Sequence, residues 1–420
     1  MISCDTRNCI DVGSTQIKIA EINDQGILLN QSFHTRDFSI SPSDQVRSIL
    51  SQQLKKPKEI RICSSANGGI RVGILALTSR FSGTAARSLA LGAGANVVFT
   101  HIFTEKYDKI INLTVDTLIF IGGIDCEDSP ILKEKILLLD LSIYNYRSLI
   151  YAGNNRLAAI FLKRFPHAMI VPNPFDVGLG VHDQSLLAYV RKLYLDDLID
   201  KESIRDLTEL SHIPILPTPG IVNIAFEMLA RQKTGIIVPL PCIVIDIGGA
   251  TTDVHFGVET LNLKEGMDSR FYLSSNRYVF TDLGVVASRS STLLNLSQHI
   301  RLYEFLQVIC GPLSRQVYLD IREGSITDEI LFYGCFFLAL DQLVNPVTDN
   351  VPNIDLTKLA SIMITGGASK ALILKKEIFS ALIQLLLKQG NTLGNISVII
   401  DKQYEMWVHG IMAVRNKNNN

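Results

Sequence analysis

Two short segments of the chain combine a carboxylate, a glycine turn and hydroxyl groups in the same order. One is Asp11-Val12-Gly13-Ser14-Thr15-Gln16-Ile17-Lys18. The other is Asp246-Ile247-Gly248-Gly249-Ala250-Thr251-Thr252-Asp253. In each, an apolar run ends in Asp, a glycine turn and hydroxyl residues follow, and a second strand-like run begins. Glycine admits φ > 0 and lets backbone N–H groups approach phosphate oxygens. Ser14, Thr15, Thr251 and Thr252 add hydroxyl donors. Asp11 and Asp246 carry the oxygen chemistry that holds Mg²⁺ through its water shell. Two such hairpins facing each other would clamp a triphosphate from both sides. A third turn, Thr365-Gly366-Gly367-Ala368-Ser369, follows the apolar run 359–364. Taken singly, Asp-x-Gly-Ser/Thr is a common hairpin turn. The specificity lies in the order and spacing of the three together.

Around these turns, strand-like runs alternate with helical patterns, the signature of parallel sheets covered on both faces. Strand, turn and strand are expected over 8–22. Further strands are expected at 59–64, 96–101, 116–121, 148–152 and 168–171, with helices at 41–58, 82–91, 155–164 and 186–199. The stretch 60–175 thus reads as an α/β unit of its own, followed by a Pro-punctuated segment. From Pro239 a second block begins, with strands at 242–247, 359–364 and 396–400. Its helices are expected at 291–310, 327–344 and 404–414. The apolar run 331–340 is only ten residues long. A membrane span needs about 20, so this run is expected in a core. Two more helices bear small residues among apolar ones: Ala225 in the helix after Leu216-Pro217-Thr218-Pro219-Gly220, and Gly410 near the C-terminus. Small residues let helices cross closely.

The chain has 420 residues, with 40 Lys+Arg against 41 Asp+Glu. That balance argues against duplex binding, which calls for a basic excess. No nucleic-acid or membrane partner is expected. The N-terminus has no signal-peptide pattern. The seven cysteines have no CxxC spacing, which suits free thiols in a reducing cytoplasm.

These elements, in this order, resemble the actin-like ATPase superfamily of sugar kinases, actin and chaperone ATPases. The segment 11–18 resembles its phosphate-1 motif, 246–253 its phosphate-2 motif, and Gly366, Gly367, Ala368 and Ser369 its adenosine motif. The helices carrying Ala225 and Gly410 resemble its connecting helices. The segment 246–255, preceded by LPTPG at 216–220, narrows the resemblance to the glutamate mutase MutL family, which is unrelated to the mismatch-repair protein of that name. So do Cys63-Ser64-Ser65-Ala66-Asn67-Gly68-Gly69-Ile70-Arg71, the ALGAGA run at 90–95, Ile121-Gly122-Gly123-Ile124-Asp125 and Tyr151-Ala152-Gly153-Asn154.

The resemblance implies an α/β, ribonuclease H-like, two-lobed fold. The first lobe would cover 1–238 with an inserted α/β unit at 60–175, the second 239–400, and the final helix 401–420 would return to the first. It implies ATP and Mg²⁺, with Asp11, Asp246 and Asp253 catalytic and Asp11 and Asp246 near the metal. Gly13, Ser14, Thr15, Lys18, Gly248, Gly249, Thr251, Thr252, Gly366, Gly367 and Ala368 would bind the nucleotide. The implied partner is an adenosylcobalamin-dependent mutase, from which lobe motion driven by ATP releases damaged cobalamin. A small-molecule kinase and a nucleotide-binding structural protein are the alternatives on the same scaffold. The inserted unit, free of nucleotide motifs, is the expected partner surface.

The chain departs from the pattern twice. Thr281-Asp282-Leu283-Gly284 stands where the family has Gly first, expected to tighten one wall of the cleft. Leu216 stands where the chaperone branch has the Glu that positions the attacking water. Base help then comes from Asp246 or Asp253, or hydrolysis is slow. Gly122-Gly123 reads as a structural turn, and His255 as a packed strand residue. Trp407 is expected to pack between lobes. Gly68-Gly69 reads equally as turn or ligand loop, and Lys18 equally as phosphate contact or exposed.

Overall fold

The computed structural model describes residues 6–13, 15–23, 25–52, 57–64, 70–105, 113–175, 184–202, 205–263, 269, 272–322, 326–348, 351–387 and 396–416. Ser14 and the Gly68-Gly69 turn lie outside them.

The first hairpin forms because two alternating apolar runs flank a glycine turn. β1 (Arg7–Val12) pairs antiparallel with β2 (Gln16–Ile22), Asp11 opposite Lys18, and the Gly13 N–H closes on the Gln16 carbonyl at 2.9 Å. β3 (Leu28–Thr35) adds antiparallel to β2, and β4 (Glu59–Ser64) adds parallel to β1. β3 gives no apolar alternation in sequence because it is a largely solvated edge.

A second sheet follows in the same stretch of chain. β5 (Arg71–Ala76), β6 (Asn96–Ile102), β7 (Leu113–Ile121), β8 (Tyr144–Tyr151) and β9 (Met169–Ile170) form it in the order β6-β5-β7-β8-β9, all parallel. β5 is hidden in sequence by Gly73, which is needed there: a Cβ on it would lie 2.4 Å from the Phe99 ring. One face of this sheet carries an aromatic cluster of Phe120, Tyr151 and Phe161. The other shares one apolar core with the first sheet, in which Ile10, Ile17 and Ile62 join Val72, Ile74 and Leu89. β10 (Leu216–Pro217) returns to β4, completing the order β10-β4-β1-β2-β3.

The remaining strands repeat that order. β11 (Cys242–Ile247), β12 (Thr252–Gly257), β13 (Ser275–Phe280), β14 (Ser361–Thr365) and β15 (Ser397–Ile400) form a sheet β13-β12-β11-β14-β15. β11 and β12 are antiparallel, with Asp246 opposite Asp253; β14 and β15 are parallel to β11 and to each other. Each of these two sheets therefore runs 3-2-1-4-5 with a hairpin at its centre. This is the α/β ribonuclease H-like plan of the actin-like ATPase fold. The helix Asp328–Val344 supplies the core below, buried from Leu331 to Leu340. The single helix expected over 291–310 is two, Arg289–Ser297 and Leu302–Cys310, broken at His299, whose ring pairs with Asp341.

The chain divides into two compact units. One comprises 1–220, 263–276 and 415–420, the other 221–262 and 277–414.

Candidate nucleotide site

In the first unit, Asp11 ends β1 with no exposed surface. Its Oδ2 accepts from Lys18 Nζ at 2.7 Å, and its Oδ1 accepts from the Thr218 hydroxyl at 2.6 Å. The Cys63 thiol lies against the same oxygen at 3.9 Å. Burial, reinforced by the Asp11 charge, pushes the Cys63 thiol well above its ordinary range, so it stays protonated. Lys18 is thus neither solvated nor unattached: it is the cation of a largely buried ion pair. Thr218 opens the helix Thr218–Ala230, directly after Leu216-Pro217 joins β4 beside Cys63 and Ser64. The turn itself is held by Arg36, whose guanidinium donates to the Gly13 carbonyl at 3.1 Å and whose backbone N–H donates to the Thr15 carbonyl. Arg36 escaped the sequence reading, because nothing in its local spacing marks it; Thr218 stood in the LPTPG run, but no spacing there points to Asp11.

In the second unit, Gly248 N–H closes the hairpin on the Thr251 carbonyl at 2.9 Å. The segment after β13 then takes up the loop's carbonyls. Val285 N–H donates to Gly248, Val286 and Ala287 N–H to Gly249, and the Ser288 hydroxyl to Ala250. Gly284 makes this approach possible: a Cβ there would lie 2.6 Å from the Ala250 carbonyl carbon. The expected tightening by Thr281 does not occur. Thr281 is exposed, and the close wall is built by Gly284. Thr292 locks the turn by accepting from Gly284 N–H at 2.9 Å.

Asp246 is half-buried at the end of β11. Gly366 packs on it: a Cβ there would lie 2.1 Å from the Ile247 carbonyl oxygen and 2.9 Å from Asp246 Oδ1. With φ of 119°, position 366 is also one that side chains disfavour. The third turn is thereby set beside the phosphate-2 hairpin, Thr365 pairing with Asp246 across β14 and β11. Gly367 opens the short helix Gly367–Ala371; the Ala368 side chain lies outside what the structure describes. Asp401, also missed, accepts from the Thr365 hydroxyl at 2.8 Å and from Glu405 and Met406 N–H. An Asp just ahead of an apolar helix was the available cap signal.

Asp253, on β12, takes the Arg277 Nε at 2.6 Å and the Thr251 hydroxyl at 3.0 Å. Thr252 is buried, its hydroxyl donating to the Leu283 carbonyl at 3.0 Å. His255 is wholly buried, with Nδ1 3.1 Å from Asn223 Oδ1. Burial, with the Arg277 charge adding to it, pushes its pKa down to about 3. A neutral, enclosed imidazole is a packing residue. Trp407 is likewise buried, beside Tyr404 in the second unit. Gly122-Gly123 is a packed structural turn: Cβ atoms there would lie 2.5 Å from Leu77 and 2.7 Å from Leu132.

No helix among the described residues is long and apolar enough to cross a membrane. Among solved structures, a ROK family glucokinase from Streptomyces griseus in complex with glucose and AMPPNP is similar at 11% identity over 97% of both chains, with a TM-score of 0.36. An activator of 2-hydroxyisocaproyl-CoA dehydratase from Clostridium difficile with bound ADPNP is similar at 8% identity, over 97% of this chain and 92% of that one, with a TM-score of 0.33. In sequence, Protein MutL of Clostridium tetanomorphum is 27% identical over 269 residues. That match spans 59% of this chain and 56% of the relative. The MutL protein family matches residues 8–419. With the fold and the paired Asp-Gly hairpins in place, the chain belongs to the MutL protein family, that of glutamate mutase MutL and not of the mismatch-repair protein.

Proposed function

We infer that this chain is an ATP-dependent factor that binds and reactivates an adenosylcobalamin-dependent mutase. The observation that carries the nucleotide part is the phosphate-2 loop. The carbonyls of Gly248, Gly249 and Ala250 are all engaged by 285–288. With the Gly248 N–H spent on the Thr251 carbonyl, what the loop has left to present is the N–H side of Gly249 and Ala250, which suits phosphate oxygens. The mutase part is supported by membership of the family.

Mg²⁺ suits the donors present, because it binds through one or two carboxylates and keeps its waters; when bound, it would neutralise charge on the phosphates. Asp246, half-buried, is the residue to hold its water shell. Asp11 is covered by Lys18 and Thr218, so its role is to hold the Lys18 ammonium for the phosphates. Gly366 lets the third turn pack against Ile247 and Asp246, and that turn, with Gly367, is where the nucleoside would lie. ATP can do work on a partner only if it binds one state of the factor better than ADP does.

Calorimetry and phosphate release test this on wild type, Asp11→Asn and Asp246→Asn. Both variants should lose about 10–100-fold in ATP turnover, the size of effect seen when a group that orients a charged partner is removed. Only Asp246→Asn should be partly rescued by raised Mg²⁺. Normal turnover in both variants would sink the nucleotide reading. The mutase should be retained on the immobilised factor in one nucleotide state and released in the other. Phosphate release that needs an added small-molecule acceptor would point to a kinase instead.

A further inference from the structure

Both hydroxyls of the phosphate-2 hairpin have already committed their protons. Thr252 donates to the Leu283 carbonyl. Thr251 donates to Asp253 Oδ2 at 3.0 Å. An ionised carboxylate only accepts, so the direction of that bond is fixed by the charge on Asp253. Asp253 is 5% exposed, and an anion so far from water needs a cation beside it. Arg277, equally enclosed, provides it: Nε lies 2.6 Å from Asp253 Oδ1, and a terminal nitrogen meets the same oxygen. The guanidinium pairs with the Asp253 carboxylate, the carboxylate takes the Thr251 proton in a hydrogen bond, and the Thr251 oxygen is left with lone pairs only.

We propose that Arg277 and Asp253 are positioning residues that make the Thr251 hydroxyl a hydrogen-bond acceptor for the water attacking the terminal phosphate. The inference rests on the phosphate-site reading above and assigns the water-orienting duty that Leu216 cannot perform. Thr251 accepts a hydrogen bond, not a proton. The water oxygen bonds to phosphorus as the bond to the ADP oxygen breaks with its electron pair, and the water's protons leave with the phosphate product. Sequence reading treated Thr251 as a donor to phosphate; the buried pair behind it reverses that polarity.

The test measures ATP affinity by calorimetry and phosphate release in a single turnover. The proteins are wild type, Asp253→Asn, Thr251→Val, the double variant, Arg277→Lys and Arg277→Met. In Asp253→Asn the amide can donate to Thr251 and free its proton, restoring a donor where an acceptor is required. Asp253→Asn and Thr251→Val should each slow the chemical step about 100-fold, the scale of a misplaced reactant, with ATP affinity within about threefold. The double variant should be no slower than the slower single, because the residues act as a unit. Arg277→Lys should keep most of the rate, and Arg277→Met should fall to the level of Asp253→Asn. Removing the cation can unfold the loop, so melting curves accompany each protein and Arg277→Lys stands as the folded comparison. If the two single losses multiply, or if affinity falls while the chemical step does not, the relay is wrong although ATP still binds. A wild type that binds no ATP overturns the site reading and the relay with it.

Discussion

Asp11 has both carboxylate oxygens occupied by its own chain, one by Lys18 and one by Thr218. Asp246 has exposed surface and a glycine packed on it. Two residues with the same place in the same motif thus stand in different surroundings, one enclosed by its own chain and one partly exposed, which is why the Mg²⁺ role is proposed for Asp246. His255 gives a separate test at this scale. The Asn223 amide oxygen can only accept, which puts the imidazole proton on Nδ1. With its pKa pushed down to about 3 in the fold, against about 6.5 in the unfolded chain, protons bind the unfolded state first. Its neutral state is free of penalty above about pH 6.5, and stability is lost as pH falls from there towards 3. At about pH 5 the loss is on the order of 2 kcal/mol. Urea midpoints at about pH 7 and pH 5 should therefore shift more for wild type than for His255→Asn. Equal shifts would mean that His255 titrates normally.

At the scale of elements, two glycines decide what can approach what. Gly410, in the helix Met406–Ala413, meets the helix Thr218–Ala230 so closely that a Cβ would lie 2.0 Å from the Ile221 carbonyl oxygen. The sequence reading expected a close crossing from small residues, and Gly410 makes one. Ala225 instead packs with Phe226, Val244 and Met406 in the core of the second unit. Gly410→Ala should destabilise by about 1–3 kcal/mol, the usual cost of overpacking, read from denaturant midpoints. Gly284→Ala should act on function as well, since its Cβ would press on Ala250. A tenfold loss of ATP affinity, about 1.4 kcal/mol, is expected by calorimetry. Gly235→Ala meets nothing within 4 Å and should stay within about 0.5 kcal/mol of wild type. If Gly410→Ala behaves like Gly235→Ala, the crossing is looser than its geometry.

For the molecule as a whole, the sheet β6-β5-β7-β8-β9 is the part with no nucleotide motif, and it is the expected partner surface. It is not a detachable module. Its Val72, Ile74 and Ile119, with Leu89 of the helix Thr84–Gly92, share one core with Ile10, Ile17 and Ile62 of the first sheet. Removing 71–170 would uncover that core. The deletion should therefore melt without a cooperative transition and lose ATP binding along with partner binding. A deleted chain that still binds ATP and melts sharply would show that the first sheet needs no such cover. Substitutions on the exposed face of the sheet's helices are the better probe of the partner surface.

The turns proposed to carry the chemistry were legible because turn geometry is local. Glycine after Asp, hydroxyls after glycine and apolar runs on both sides are fixed by neighbouring residues, and β1–β2, β11–β12 and the Gly366 turn are where that pattern puts them. The buried helix Asp328–Val344 was legible for the same reason. Solvated β3, the glycine-bearing β5 and β13 with its Arg277 lacked a period to read. The partners of the site residues lay beyond the sequence altogether. Thr218 reaches Asp11 across 207 positions, and Arg277 reaches Asp253 across 24. Such contacts leave no spacing in the chain, because folding brings the groups together and burial then forces each charge and hydroxyl to find its complement. Local spacing marks the glycines, hydroxyls and carboxylates suited to a phosphate; folding sets which of their protons and lone pairs the chain itself already takes.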